Sequence, residues 1–342
     1  MTGAATVTPL RWLLDLLGLA CAPAEGETVL AHGRALTMRG GMLRGSGANS
    51  AAQGQTQEVF GFKWHQRETF ESEASLAHLR AWHRARYGDA VRLEWLAEHG
   101  PRPLLLDAGC GAGMTALELL APALPQARYL GIDISDAIEV ARDRFDERGF
   151  PAAFIQADFC AAPLAPRSVD VVVAEGVLHH TDSTERSLKA LAALLKPGGR
   201  MMIYVYRKKG PIREFTDDLI REKLAAFAPE EAWQALLPLT KLGQQLGELD
   251  IELDLAEPIA LLDIPAGKID LQRFFYWHIF KAFYRADFTL EEMHHINFDW
   301  YAPRNAHRQT PEEMRRWCAE AGLAVEHEHA DEAGITMLAR KT

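Results

Sequence analysis

The residues with the clearest chemical potential form a short turn of small side chains that begins with an acid. The run DAGCGAG occupies residues 107–113 of a chain of 342 residues, between an apolar stretch at 104–106 and a helical pattern that starts at Met114. Because glycine has no Cβ, a ligand can come close to this backbone, and the helix start offers free N–H groups. The acid at the head repels a pyrophosphate and suits a ligand that carries an ammonium group.

Asp133 is a second acid in a chemically useful position. It ends the apolar stretch 128–132, twenty residues after Gly113. A carboxylate at the end of that strand can accept hydrogen bonds from both hydroxyls of a ribose. Dinucleotide-binding turns follow the spacing GxGxxG, whereas this turn follows DxGxGxG, so the sequence disfavours a dinucleotide oxidoreductase.

The elements that position these residues alternate between strand and helix. Five apolar stretches of strand type lie at 104–106, 128–132, 153–155, 169–173 and 201–205. After a long interruption, a capping box at Thr310 starts a last helix, and strands follow near 323–328 and 335–340. This alternation indicates a mainly parallel sheet covered on both faces. The sequence therefore predicts an α/β fold with a doubly wound, seven-stranded, Rossmann-like sheet.

Composition divides the chain into four segments. Residues 1–59 are rich in glycine and alanine and predict an N-terminal extension, with a loop or linker at 40–54. Residues 60–207 predict the nucleotide-binding core together with aromatic-rich helices in front of it, and 310–342 predict the end of that core. The interval 208–309 lacks the alternation, and its helical, aromatic-rich character predicts a helical cap inserted into the core.

The acid–glycine turn and the strand ends after it resemble the class I S-adenosylmethionine (SAM)-dependent methyltransferases of small-molecule type. The resemblance covers about 101–207 and 310–342. It implies SAM as the cofactor, with the glycines against its methionine and ribose. It further implies an acid at the amino-acid end, a second acid on the ribose diol, and residues after the third and fourth strands at the adenine and the sulfonium. The implied cofactor contacts are Asp107, Ala108, Gly109, Gly111, Gly113, Asp133, Ile134, Ala157, Asp158, Phe159, Glu175 and Gly176.

His179 and His180 follow the fourth predicted strand and are candidate catalytic bases. Methyl transfer from SAM is a displacement at carbon, so the protein mainly aligns nucleophile, methyl and sulfur. A base helps when the acceptor is a hydroxyl or a protonated amine, and imidazole can take a proton near neutral pH. The alternative interpretation of both residues is packing with a hydrogen bond to backbone.

Several polar residues at and beyond the fifth strand are candidates for binding the acceptor. Cations at the ligand-binding edge of a sheet can hold a carboxylate or phosphate, although a solvated basic loop explains the same residues. Farther on, charged residues stand among aromatics, where burial without a partner is costly. Asp299 is one of these. The substrate residues predicted are Tyr206, Arg207, Lys208, Arg273, His278, Tyr301 and Arg304.

The aromatic segment FGFKW at 60–64 resembles a stretch that precedes the core in one bacterial subgroup of these methyltransferases. Phe62 and Trp64 are therefore predicted to fold over the cofactor and exclude water, with plain core packing as the alternative. That subgroup often begins with a small zinc ribbon. Because Cys21 is the only cysteine in the segment that resembles it, we interpret the N-terminus as a degenerate ribbon and predict no metal.

The charge balance narrows the range of partners. The chain has 37 Lys and Arg against 47 Asp and Glu, a net charge of −10, which disfavours a broad phosphate-binding surface. Four cysteines without a CxxC pair are typical of reduced thiols in a cytoplasmic protein. No apolar run reaches the roughly 20 residues that cross a bilayer. The predicted partner is a small-molecule acceptor; the sequence predicts no membrane partner and disfavours nucleic acid, and a homodimer stays open.

The leading prediction for function is SAM-dependent methylation of a small, anionic metabolite. Three alternatives stay open. One is an RNA or tRNA methyltransferase. The second is an enzyme that uses SAM for cyclisation or for transfer of its aminocarboxypropyl chain, and the third is a binding module that senses the nucleotide without turning it over.

Overall fold

The protein is described from a computed structural model that covers residues 10–45, 47 and 50–342. Among these residues, twelve strands occur, and ten of them form one sheet. The strands are β1 Thr28–Ala31, β2 Arg34–Arg39, β3 Met42–Arg44, β4 Leu104–Ala108, β5 Arg128–Asp133, β6 Ala152–Gln156, β7 Val169–Glu175, β8 Leu195–Tyr206, β9 Glu252–Leu255, β10 Gly267–Asp270, β11 Leu323–Ala330 and β12 Gly334–Lys341. The strands β9 and β10 pair with each other in a small separate sheet.

Ten α-helices accompany the strands in the described part of the chain. They are α1 Arg11–Leu17, α2 Ala51–His65, α3 Glu73–Tyr87, α4 Ala137–Glu147, α5 Thr184–Leu194, α6 Pro211–Leu224, α7 Pro229–Glu248, α8 Leu271–Phe274, α9 Leu290–Tyr301 and α10 Pro311–Glu320. The predicted capping box at α10 is confirmed: Thr310 Oγ1 accepts from the Glu313 amide at 3.3 Å, and the Glu313 carboxylate accepts from the Thr310 amide at 2.8 Å. None of the described helices is both long enough and apolar enough to span a membrane.

The order of the large sheet is β1-β2-β3-β6-β5-β4-β7-β8-β12-β11. The strands from β6 through β8 are parallel, whereas β12 runs antiparallel between β8 and β11. The chain winds outward from β4 in both directions, first to β5 and β6 and later to β7 and β8. A doubly wound sheet of this kind binds ligands where the order reverses, at the carboxyl ends of β4 and β7.

The predicted α/β fold is confirmed, but its predicted count of seven strands is wrong for the whole sheet. All seven predicted strands are present and adjacent to one another. Three further strands extend the sheet, because the N-terminal segment folds into an antiparallel meander whose last strand pairs with β6. In that parallel pair, Leu43 lies opposite Ile155 and Arg44 opposite Gln156. Part of the glycine-rich interval 40–54, which predicted only a loop, thus forms a strand.

The N-terminal segment is joined to the core without a break in structure at the predicted boundary. Helix α2 runs across residue 59, and the side chain of Ser50 caps its start by accepting from the Gln53 amide at 3.0 Å. Cys21 is exposed and reduced. Within the described residues, no group of three or more His, Cys, Asp or Glu side chains is placed to hold a metal ion. The resemblance to a zinc ribbon stays a prediction.

The interval 208–309, predicted to be a helical cap, is only partly helical. It contains α6 to α9, but also the two-stranded sheet and an extended stretch near 280–285. Its helix α9 packs on both α6 and α7, and α7 and α9 also contact α2. This interval and α2 together cover the ligand-binding edge of the large sheet.

Aromatic packing holds α4 against the sheet and thereby fixes the strand ends that carry the acidic residues. Phe145 of α4 stacks on Tyr129 of β5 with ring centroids 4.6 Å apart, and it meets Phe154 of β6 at 5.4 Å. The Phe145 side chain is completely buried. The glycine turn depends on the same ring, because a Cβ at Gly113 would come within 3.0 Å of it.

Substitution of Phe145→Ala is expected to lower the free energy of unfolding by about 3–5 kcal/mol, because it leaves a cavity between α4 and the sheet. The matched control is Phe215→Ala, since Phe215 is 70% exposed and its removal should change stability by less than about 0.5 kcal/mol. Urea unfolding followed by circular dichroism measures both. Equal shifts of the two midpoints would contradict the packing described.

Candidate functional site

A cavity of about 390 Å³ lies at the carboxyl ends of the central strands. The turn after β4, the ends of β5 and β7 and the last residues of β8 form its floor, and α2, α3 and the segment 276–299 form its walls. Its volume falls in the range of roughly 300–1,000 Å³ that is usual for small-molecule sites. The sequence features predicted to bind a nucleoside and the point where the strand order reverses therefore meet at one cavity.

The glycine turn requires glycine for two reasons that the structure makes visible. Gly109 and Gly111 both have a positive φ, 68° and 50°, a region that residues with a Cβ rarely adopt. A Cβ at Gly109 would collide with the Val177 side chain. A Cβ at Gly111 would stand 2.9 Å from Nε1 of Trp64, so the turn brings its backbone directly against the indole of α2. The spacing of the glycines is thus set by the cavity walls.

Asp133 lies in the cavity wall with its carboxylate held by three donors. One oxygen accepts from the Gly111 amide at 2.8 Å, and the other accepts from the amide of Ser135 at 2.8 Å and from its hydroxyl at 2.7 Å. Burial raises the pKa of Asp133, and these hydrogen bonds oppose the rise. The carboxylate is a fixed, acceptor-only group, which is the chemistry that a ribose diol requires.

Asp107 is buried at the end of β4 and accepts a hydrogen bond from the Tyr129 hydroxyl at 2.7 Å. Burial raises the pKa of Asp107 to about 7. A cation that enters the cavity beside this carboxylate would favour its ionised form. The residue therefore fits the predicted contact with the ammonium group of a bound amino acid.

The other predicted cofactor residues divide between the cavity surface and the layer behind it. Those that line the cavity are Ile134, Phe159, Glu175 and Gly176, and those that do not are Ala108, Gly113, Ala157 and Asp158. Asp158 is turned away because its carboxylate caps the following turn, where it accepts from the Cys160 amide at 2.8 Å. Glu175 accepts hydrogen bonds from Arg86 and Tyr87, which fastens the end of α3 to the end of β7.

Helix α2 presents one face to the cavity, and this face follows helical spacing. The residues on it are Gln53, Thr56, Gln57, Phe60, Lys63 and Trp64. Trp64 thus covers the glycine turn in the place where sequence predicted an aromatic cover. Phe62 does not, because it lies on the other side of the helix, where its ring meets those of Trp233 and Phe298 at 5.8 Å each.

A buried ion pair joins three parts of the protein beside the cavity. Lys63 of α2 donates to the carboxylate of Asp299 in α9, and the same carboxylate accepts from the Tyr206 hydroxyl of β8 at 2.7 Å. Lys63 is 3% exposed. Burial lowers the pKa of Lys63, whereas Lys63 and Tyr206 hold the pKa of Asp299 well below its usual range. We take the pair to be ionised, since each charge has its partner at hydrogen-bond distance. We call these three residues the junction.

Of the two candidate bases, only His180 lines the cavity. Its Nδ1 lies 2.6 Å from the carbonyl oxygen of Asn305; because a carbonyl only accepts, Nδ1 carries the proton and Nε2 has a free lone pair. Within the described residues, Nε2 has no hydrogen-bond partner. Burial lowers the pKa of His180 to about 4, so the ring is neutral near pH 7. Neighbouring His179 is fully buried and lies 3.8 Å from Tyr206, centroid to centroid, which is a packing role.

The basic loop after β8 does not reach the cavity in the predicted way. Tyr206 lines it, but Arg207 and Lys208 do not. The guanidinium of Arg207 donates to the carbonyl oxygen of Asp331 at 3.1 Å, and Lys208 is exposed. Because strand residues alternate between faces, the residue next to Tyr206 points away from the cavity. Lys209 is turned inward and donates to the carbonyl oxygens of Glu332 and Ala333.

The predicted substrate residues of the insertion also lie outside the cavity lining. Arg273 donates to the carbonyl oxygen of Tyr284 at 3.1 Å, and His278 packs on Phe274. Tyr301 is buried behind the cavity wall. Arg304 is exposed and lies at an open groove on the surface instead. The aromatic and charged residues of this interval had suggested a pocket. In the structure, most of these side chains contact one another or the backbone within the insertion.

Several lining residues were not predicted from the sequence. They are Phe60, Lys63, His83, Lys281, Glu292, His295 and Asp299. Only Asp299 carried a signal, as an acid in an aromatic stretch. Once Trp64 is placed on the cavity, helical phase puts Phe60, four positions earlier, on the same face, and Lys63 follows Phe60 by three positions. No local pattern distinguishes Lys281, which lies in an irregular stretch between helices.

Comparison with known proteins identifies the domain that contains this cavity. Residues 106–203 match the family described as "Methyltransferase domain". This part of the chain, which carries the glycine turn and Asp133, is thus similar to methyltransferase domains, and the cofactor that such a domain would bind is SAM.

Curated relatives match parts of the chain. An uncharacterized protein of Synechococcus sp. is 38% identical over 112 residues, 32% of this chain and 27% of that protein. The probable tRNA methyltransferase 9B of Bos taurus is 30% identical over 160 residues, 45% of this chain and 31% of that protein. The chain thus spans less than a third of these relatives.

A solved structure aligns over most of the chain. It is the Burkholderia thailandensis 1,6-didemethyltoxoflavin-N1-methyltransferase with bound 1,6-didemethyltoxoflavin and S-adenosylhomocysteine. It has 16% sequence identity and a TM-score of 0.44, and the alignment covers 93% of this chain and 100% of that chain.

The cavity fits SAM by the chemistry of its groups. Asp133 offers acceptors for the ribose diol, Asp107 a carboxylate for the ammonium group, and Phe159 and Ile134 apolar surface for the adenine. When bound, SAM supplies an activated methyl group. The chain's own residues bind and orient the two reactants and keep water out, because α2 covers the glycine turn.

Replacement of Asp133 by alanine is expected to weaken binding of S-adenosylhomocysteine by roughly 10²-fold or more, because two charge-assisted hydrogen bonds contribute about 1.5–3 kcal/mol each. Asp143→Ala is the control, since this carboxylate of α4 is 63% exposed and points to solvent. Calorimetry measures both affinities. Undiminished affinity in the Asp133 variant would remove this residue from the cofactor site.

Proposed function

We propose that this protein transfers a methyl group from SAM to a small, anionic molecule that it encloses in the cavity between α2, α9 and the sheet. The observation that carries the proposal is the continuity of this cavity. The acidic and glycine residues that suit SAM line it together with Lys63, Tyr206, Lys281 and Asp299 and several aromatic side chains. Donor and acceptor would therefore share one space that is covered on the outside.

The proposal gives His180 the role of accepting the proton that the nucleophile loses. His180 lines the cavity, and because Nδ1 is tied to backbone, the lone pair of the ring lies on Nε2. Asp299 lies close enough to favour the protonated ring that would result. A buried, neutral imidazole is a weak base, so the proton would be taken as the new bond forms rather than beforehand.

A tRNA methyltransferase is the second candidate, because curated relatives from three mammals carry the description "Probable tRNA methyltransferase 9B". The net charge of −10 does not favour it, since RNA binding generally depends on contiguous basic surface. The position of the cavity does not favour it either: a base would have to be extruded from its strand and pass beneath α2. Use of SAM for cyclisation or aminocarboxypropyl transfer is a third candidate.

Incubation with methyl-labelled SAM and a fractionated cell extract distinguishes these candidates. We expect S-adenosylhomocysteine as the nucleoside product and the label in the small-molecule fraction, lost when Asp133→Ala replaces the wild-type protein. Label in RNA, with binding that weakens steeply as salt rises, would establish the tRNA alternative instead. Methylthioadenosine as the product would point to non-methyl chemistry.

His180→Gln is expected to lower kcat by about 10²-fold or more with the acceptor found in that extract, because the variant lacks the basic nitrogen. Affinity for S-adenosylhomocysteine should stay within twofold. The exposed His32→Gln serves as the control. If kcat falls less than threefold, His180 packs beside the reactants and is not the base.

A further inference from the structure

Three basic side chains surround one indole ring beside the cavity. The charged groups of Lys281, Arg213 and Lys209 lie 4.8, 5.3 and 5.5 Å from the ring centroid of Trp300. The indole N–H of Trp300 donates to Asp217 at 2.8 Å, which places one carboxylate in the same group. Asp331 also acts on Lys209 and Asp299 on Lys281, but Asp299 is already paired with Lys63, so basic groups still outnumber acids in this region. We call Lys281, Arg213 and Lys209 the cation cluster.

The members of the cation cluster differ in how their charge is satisfied. Arg213 donates to Asp217 at 2.8 Å and to the carbonyl oxygen of Tyr276. Lys209 donates to two backbone carbonyls, one of them Ala333 at 3.0 Å. Within the described part of the chain, the ammonium of Lys281 has neither a hydrogen bond nor an ion pair. The cluster therefore has one cation that Asp299 and Asp217 influence only from a distance and that has no direct partner among the described residues.

Lys281 is nevertheless buried and faces the cavity. The residue is 7% exposed and lines the cavity wall. Its backbone amide donates to the Tyr301 hydroxyl at 2.7 Å, and that hydroxyl donates to Asp217 at 2.8 Å, so the backbone from which the side chain extends is fixed. Burial lowers the pKa of Lys281 to about 7. A lone ammonium in such a place is costly unless an anion pairs with it.

The anion that pairs with Lys281 can come from SAM or from the acceptor, since both can carry a carboxylate. The position of Lys281 favours the acceptor. The ammonium of Lys281 lies over the ring of Trp300. The centroid of that ring is 4.3 Å from the ring centroid of Tyr206, at the end of β8. The carboxylate of Asp107, which suits the amino-acid end of SAM, ends β4, two strands away. Neighbouring strands are about 4.8 Å apart, so roughly 10 Å separates the two places.

Aromatic side chains line the same cavity as Lys281 and Asp107. Phe60, Trp82, Tyr204, Tyr276 and Phe283 all line the cavity. Flat, apolar walls of this kind suit a planar ring, which they can meet face-on or edge-on. A planar ring with one acidic group could pack against the aromatic walls of the cavity and place its negative charge beside the ammonium of Lys281.

We propose that Lys281 binds the carboxylate of a small aromatic acid, and that such acids are the class of acceptor this protein methylates. That these acids are methylated rests on the proposed function. That the protein binds them at Lys281 does not depend on it. In the cavity the carboxylate accepts from the ammonium of Lys281, and the ring lies toward β7 and the cofactor. The methylated atom is on the side of the ring away from the carboxylate.

Calorimetry on the full chain, saturated with S-adenosylhomocysteine, tests the inference with benzoate and 4-hydroxybenzoate as probes and benzamide as their uncharged counterpart. We expect both acids to bind at least tenfold more tightly than benzamide. Lys281→Met should remove this preference, Lys281→Arg should keep part of it, and Lys241→Met, which removes an exposed lysine of α7, should not alter it. Binding of S-adenosylhomocysteine should stay within twofold in all three variants.

Three outcomes would overturn the inference. The first is that neither acid binds, or that benzamide binds equally well; this comparison needs no variant and stands even if Lys281→Met folds poorly. The second is that Lys281→Met leaves acid binding unchanged. The third is that it weakens S-adenosylhomocysteine binding as much as acid binding, which would assign the ammonium to the cofactor's carboxylate. A protein that methylates an extract component yet binds no aromatic acid would overturn this inference alone.

Discussion

The enclosed cavity depends on the junction, in which Asp299 accepts from both Lys63 and Tyr206. These residues come from α9, α2 and β8, which belong to the insertion, the N-terminal helices and the sheet. A sheet edge alone would leave a ligand open to water. The junction holds two covering elements over that edge at one point, so the covered volume exists only if all three parts are in place.

The same arrangement carries an energetic cost and a chemical benefit. Removal of one partner from a buried ion pair typically costs about 3–5 kcal/mol, because the other charge is left unpaired. The protein places further charges nearby, including the cation cluster around Trp300, in surroundings that exclude water. Charges in such a setting act strongly on a bound anion. The positive excess that is unfavourable in the empty cavity therefore becomes favourable when an acid occupies it.

The sequence predicted the position of those site residues that a short pattern beside a strand marks. The turn at 107–113 and Asp133 follow strand patterns directly, so their place at one sheet edge could be predicted from the chain alone. Trp64 was placed over the cofactor, but Phe62 was grouped with it, because a short aromatic run does not reveal the phase of its helix. The structure separates the two: positions 62 and 64 face different sides of α2.

Residues that come together only through tertiary packing were beyond this reasoning. Arg207 and Lys208 looked suited to an anion because they follow a strand end, yet strand alternation and a carbonyl contact turn Arg207 away, and Lys208 is exposed to solvent. Lys281 lies more than seventy residues farther along in an irregular stretch, and only the packing around Trp300 brings it to the cavity. The N-terminal strands were missed for a similar reason, since their partner β6 lies about a hundred residues away.

Hydrogen–deuterium exchange with and without S-adenosylhomocysteine tests most directly whether α2 is a wall of the cofactor site. The account predicts slower exchange in two segments that are far apart in sequence, the turn at 107–113 and the α2 residues 56–64. Exchange in the outer helix α7 should change much less. Protection confined to 104–160, with α2 unchanged, would contradict the claim that the junction closes the cavity over the bound cofactor.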